Sequence, residues 1–162
     1  MTIAVGETLP ETTLFEMTDE GPKGIASAEI LGKGTVALFG VPGAFTPTCH
    51  LKHMPSFVQN IEALKAKGVD AVVCLTVNDP FVAKEWGEAT GATAAGIRVV
   101  GDAAAAFAQA TGLSFDGAAV GLGVRAQRFS MLIKDGVVAA LNIEDAPSKM
   151  DVTSAEALLE QI

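Results

Sequence analysis

Residues 70–77 read Asp-Ala-Val-Val-Cys-Leu-Thr-Val, an apolar run almost without polar alternation. A strand of this kind is buried on both faces, which requires a sheet covered by helices on each side. Val36-Ala37-Leu38-Phe39 marks a second buried strand over 35–40, entered through a Gly32-Lys33-Gly34 turn. Between the two strands, Met54, Phe57, Val58, Ile61 and Leu64 recur at spacings of three and four, one buried helical face. Pro55 lies inside that pattern and is expected to kink the helix, with Gly68 as its C-terminal cap.

Beyond residue 77 the alternation continues. Asn78 or Asp79 caps a helix with Pro80 in its first turn and Phe81, Val82 and Trp86 on its apolar side. Ile97–Val100 reads as a short strand, and Asp102 opens an Ala-rich helix ending at Gly112. Ser114–Leu122 is Gly-rich and weakly patterned, hence a loop. Two apolar runs, 128–134 and 137–143, flank Asp135-Gly136, which is a hairpin signal. An acidic loop over 144–151 leads to a last helix capped by Thr153 or Ser154 and carrying Ala157, Leu158, Leu159 and Ile162. Before residue 31 only an apolar patch at Thr13-Leu14-Phe15 and a break at Gly21-Pro22 stand out. The expected fold is an α/β sandwich, a central mixed sheet flanked by helices, in one domain over 1–162.

The formal net charge of −8 argues against nucleic acid and anionic membranes as partners. No apolar run reaches the roughly 20 residues that span a bilayer. The first residues show no basic region leading into an apolar core, so a cytoplasmic location is expected. The two cysteines make no disulfide framework for a chain of this length; each is reactive or simply buried.

Chemistry concentrates in residues 41–49, Val-Pro-Gly-Ala-Phe-Thr-Pro-Thr-Cys. Thr46 is a suitable N-cap and Pro47 a suitable first helical residue. Cys49 then falls in the first turn, where unpaired N–H groups and the helix dipole favour an anion. The alternative is a small buried hydrophobe at a helix start.

The Pro42–Cys49 stretch resembles the active-site loop of the peroxiredoxins, Pro-x-x-x-Thr-x-x-Cys, in the form of their type II (five-type) subfamily. The similarity continues through His53-Met54-Pro55 with Phe57, Val77–Val82 with Trp86, and Arg128–Met131 running into Asp135-Gly136. The resemblance implies a thioredoxin-like fold and a thiol peroxidase acting on hydrogen peroxide and alkyl hydroperoxides without metal or organic cofactor. It makes Cys49 the peroxidatic cysteine, Thr46 the hydroxyl that bonds thiolate and peroxide, Pro42 the shield of the sulfenate, and Arg128 the guanidinium on sulfur and peroxide oxygen. Arg125 is a rival for that last role.

Cys74 matches the second cysteine of plant-like members, so it is a candidate resolving residue; by chemistry alone it is a core residue of the central strand. Other five-type members resolve through a cysteine before the last helix, and residues 144–153 contain none. Resolution thus falls to Cys74 or to an external thiol, glutathione with glutaredoxin, or thioredoxin. The resemblance also implies a homodimer, with Phe45 and Phe81 as contacts. His50 and His53 raise a metal reading, which lacks the three or four ligands zinc wants. Two other functions stay open: a thiol–disulfide oxidoreductase, for which Cys49 lacks a Cys-x-x-Cys partner, and a redox-sensing or holdase protein without turnover.

Overall fold

A computed structural model describes all residues, 1–162. Seven strands form one mixed sheet in the order β2-β1-β5-β4-β3-β8-β9. The strands are β1 (Thr13–Thr18), β2 (Gly21–Ala26), β3 (Thr35–Val41), β4 (Ala71–Thr76), β5 (Arg98–Gly101), β8 (Phe129–Lys134) and β9 (Val137–Ile143). β3, β4 and β5 run parallel, while β8 pairs antiparallel with β3 and β9, and β1 with β5 and β2. The two runs read as doubly buried strands are the centre of this sheet. Val36, Leu38, Val73 and Leu75 pack into one apolar layer with Phe107. Ala37, Phe39, Val72 and Cys74 pack into the other with Cys49, Phe57, Trp86 and Leu158. Alternate residues of one strand thus feed opposite layers, as the pleat dictates.

The helices are α1 (Ser27–Leu31), α2 (Met54–Gln59), α3 (Ile61–Ala66), α4 (Pro80–Ala89), α5 (Ala92–Ala95), α6 (Ala106–Ala110) and α7 (Ala155–Leu159). The expected Pro55 kink takes the form of a π turn over Cys49–His53, in which the Met54 N–H donates to the Cys49 carbonyl. Pro55 has no N–H to give and clashes with a regular preceding turn, so the wider turn relieves it. Gly68, at φ +93°, closes α3 with Val69 N–H on the Leu64 carbonyl and Gly68 N–H on Lys65, a Schellman cap. Asp135 and Gly136, both left-handed, turn the β8–β9 hairpin as their sequence requires.

Four expectations change. Ser114–Leu122 is no plain loop: β6 (Ser114–Asp116) pairs with β7 (Val124–Ala126) around a short 3₁₀ turn. The Ala-rich helix begins at Ala106, since the Asp102 carboxylate reaches forward to accept from the N–H groups of Phe107 and Ala108. Phe81 is 59% exposed, and Pro80, Ala83, Trp86 and Gly87 form the buried side of α4 instead. The first thirty residues form a hairpin and α1. Where two caps were open, Asp79 accepts from Val82 N–H and Ser154 from Ala157 N–H.

Candidate active site

The C-terminal end of β3 delivers residues 42–48 to the edge of the second apolar layer, and the π turn follows directly. Three side chains from elsewhere fix this loop. Asn78 Oδ1 accepts from the Ala44 N–H at 2.9 Å and from the Thr76 hydroxyl at 2.5 Å. Arg125 Nη1 donates to the Pro42 carbonyl at 3.1 Å. A Cβ at Gly43 would collide with that same Nη1, so glycine is what lets Arg125 approach. Phe45 holds a left-handed backbone, φ +62°, and stacks on His50 at 5.7 Å.

Cys49 is fully buried, and its Sγ accepts from Arg128 Nη2 at 3.1 Å. Arg128 is itself buried just ahead of β8. Its Nε and Nη2 donate to the Pro147 carbonyl at 3.1 and 2.7 Å, and Nη1 lies 3.0 Å from His53 Nδ1. No carboxylate pairs with this guanidinium. A buried charge left without a partner is destabilising by several kcal/mol, and the sulfur is the group beside it that can carry negative charge.

Pro42, Thr46, Thr48, Leu122, Arg128 and Pro147 line a cavity of about 230 Å³ at this point. A water molecule occupies about 30 Å³, so the space admits a peroxide with a small substituent. The Thr46 hydroxyl donates to the Gly43 carbonyl at 2.7 Å, and its carbonyl accepts from His50 N–H. Its proton is therefore committed to Gly43, and what it offers the cavity is an acceptor lone pair. That differs from the bond to a thiolate which the resemblance implies.

Residues 144–153 roof the site. Thr48 donates to the Ser148 carbonyl at 3.1 Å, while Glu144 Oε1 accepts from the N–H groups of Asp151, Val152 and Thr153 and from the Thr153 hydroxyl. Cys74, mid-β4, is a free and fully buried thiol whose pKa is pushed well above its ordinary value by burial and by Cys49. His50 Nδ1 accepts from the Trp86 indole N–H at 3.0 Å.

Cys49, Thr46, Pro42 and Arg128, scattered over 87 positions of sequence, thus meet at one cavity. Arg125 proves a partner of Arg128, because it secures the loop while Arg128 reaches the sulfur. Asn78 was read only as a possible cap, and the carbonyls of Pro147 and Thr153 carry no side-chain signal at all. Arg125 and His53 were visible as residue types without a role.

The Redoxin family profile matches residues 4–159. The chain is 41% identical to Peroxiredoxin-2B of Arabidopsis thaliana, over 99% of this chain and 98% of that protein. It is also 41% identical to the chloroplastic Peroxiredoxin-2E-2 of rice, over 99% of this chain and 73% of that one. The crystal structure of reduced Prx3 from Vibrio vulnificus in complex with hydrogen peroxide superposes with a TM-score of 0.91 at 45% identity, covering 98% of each chain.

Proposed function

Since the chain belongs to the peroxiredoxins, in their type II branch, and is a thiol-dependent peroxidase, we propose that Cys49 is its peroxidatic residue and that Arg128, Thr46 and Pro42 complete the site. The 3.1 Å contact between Arg128 Nη2 and Cys49 Sγ beside a small cavity carries this reading.

The Cys49 thiolate attacks the terminal oxygen of the hydroperoxide. The S–O bond forms as the O–O bond breaks, and the leaving alkoxide or hydroxide takes up a proton to become alcohol or water. Arg128 commits four of its five N–H groups to Pro147, His53 and the sulfur, which leaves one Nη1 hydrogen for a peroxide oxygen. Thr46 accepts the peroxide O–H, which orients the terminal oxygen. Pro42, with no N–H of its own and its carbonyl held by Arg125, keeps water from the sulfenic acid. Two reducing equivalents from external thiols then return Cys49 to the thiol, releasing water and a disulfide.

Glutathione with glutaredoxin, or thioredoxin, suits that last step better than Cys74, since Cys74 is buried within a strand and bridging needs Cα atoms within about 7 Å. One domain over 1–162 and a homodimer are part of the same reading, supported by the exposed Phe45, Leu51 and Phe81. Two free thiols fit a reducing compartment such as the cytoplasm. No helix is long and apolar enough to cross a membrane.

Peroxide consumption with a thiol reductant, followed for the wild-type chain and for Cys49→Ser, tests the assignment. Loss of turnover in the variant is expected; an active Cys49→Ser protein overturns it. A wild-type chain that is oxidised once without turnover would favour the sensing or holdase reading.

A further inference from the structure

We infer that His53 is a positioning residue for the peroxide reaction: its neutral ring, locked in one tautomer, aims the Arg128 guanidinium at the Cys49 sulfur. The inference rests on the roles proposed above for Cys49 and Arg128.

Each ring nitrogen has a partner that leaves no choice. His53 Nε2 lies 2.9 Å from the Thr153 carbonyl, which only accepts, so Nε2 carries the hydrogen. His53 Nδ1 lies 3.0 Å from Arg128 Nη1, which only donates, so Nδ1 presents its lone pair. The ring is fully buried and sits against Phe39 at 5.1 Å and Phe57 at 5.7 Å, which fixes its plane. Burial, reinforced by Arg128, lowers its pKa to about 3, so no second proton arrives to break the contact at neutral pH.

The partners close a ring of contacts. Arg128 reaches His53 through its side chain, His53 reaches the Thr153 carbonyl, the Thr153 N–H and hydroxyl reach Glu144, and the Glu144 N–H returns to the Arg128 carbonyl. Without His53 the guanidinium would hang from the Pro147 carbonyl by one edge and could pivot about it. An acidic residue at position 53 would hold Arg128 as firmly and would neutralise its charge. Imidazole holds it as a neutral acceptor, so the full positive charge remains for sulfur and peroxide. A residue that served packing alone would more simply be apolar at this buried position.

The test compares His53→Leu and His53→Gln with the wild-type protein, all in the reduced state. Single-turnover rates of Cys49 are measured with hydrogen peroxide and with iodoacetamide, an electrophile that needs no donor on a leaving oxygen. His53→Leu is expected to slow the peroxide reaction about 30- to 100-fold while alkylation changes by less than about threefold. His53→Gln, whose amide can accept from Arg128 and donate to Thr153, should recover most of the difference. An unchanged peroxide rate in His53→Leu, or peroxide and iodoacetamide rates falling together, overturns the inference. If His53→Leu does not fold, the ¹H–¹⁵N spectrum of the wild-type ring decides: a protonated Nε2 with a bare Nδ1 supports it, and a protonated Nδ1 overturns it. Persistent turnover in Cys49→Ser would instead defeat the underlying assignment, whatever the His53 variants do.

Discussion

The indole N–H of Trp86, the only tryptophan, donates to His50 Nδ1 at 3.0 Å, and His50 is the residue next to Cys49. A change at the sulfur therefore reaches the fluorophore through one residue of backbone. Mixing reduced protein with hydrogen peroxide should alter tryptophan emission in a single exponential whose rate is linear in peroxide. Cys49→Ser should give no such phase in stopped-flow fluorescence.

Arg128→Lys should lower kcat/KM for hydrogen peroxide by about 10²- to 10³-fold, the loss typical of removing a donor from a charge-developing site. Lysine keeps the charge but has no planar fork to serve Pro147, His53 and sulfur at once. Steady-state peroxidase kinetics check this, and activity within about threefold of wild type would contradict the proposed role.

Stability against pH should form a plateau with two edges. His53 is neutral when folded, with a pKa near 3, and ordinary when unfolded, near 6.5. The unfolded chain therefore binds an extra proton as pH falls below about 6.5, and stability drops by about 1.4 kcal/mol per pH unit there. The Cys74 thiol, raised well above 9.0, works in the opposite sense: the unfolded chain loses its proton first, so stability falls as pH rises beyond about 9. Urea midpoints across pH 4–11 measure both edges, and His53→Gln should flatten the acid one.

Cys74→Ala should keep turnover with glutaredoxin and glutathione within about twofold of wild type, at a stability loss of about 1 kcal/mol for the vacated core volume. Mass spectrometry after one equivalent of peroxide gives the same answer chemically. A chain lighter by two lost hydrogens would mean that Cys49 and Cys74 had joined, contrary to an external-thiol cycle.

Elements with strong local chemistry were legible in the sequence. Residues 36–39 and 70–77 could only be buried strands, Asp135-Gly136 could only be a tight turn, and Thr46-Pro47 announced the start of a helix ahead of Cys49. What escaped has physical reasons. β6 and β7 are three residues each, too short for a period to register. β2 reads Gly-Pro-Lys-Gly-Ile-Ala and lies at the sheet edge, where one flank faces solvent and hydrophobic pattern weakens. Phe81 was assigned inward because aromatics are usually buried, and here it is exposed. Two anchors of the site, the Pro147 and Thr153 carbonyls, belong to the backbone, and no residue type encodes them.

The unpaired guanidinium has a consequence for the reacted protein. A thiolate beside Arg128 is an anion; a sulfenic acid in the same place is neutral. In the proposed cycle the first chemical step thus removes the only negative charge in contact with a buried cation. The reduced pocket is held shut by its own charge balance, and turnover cancels that balance from within. The roof that keeps Cys49 out of reach of any reducing protein would therefore loosen when a sulfenic acid needs to be reached, a latch released by the reaction it encloses.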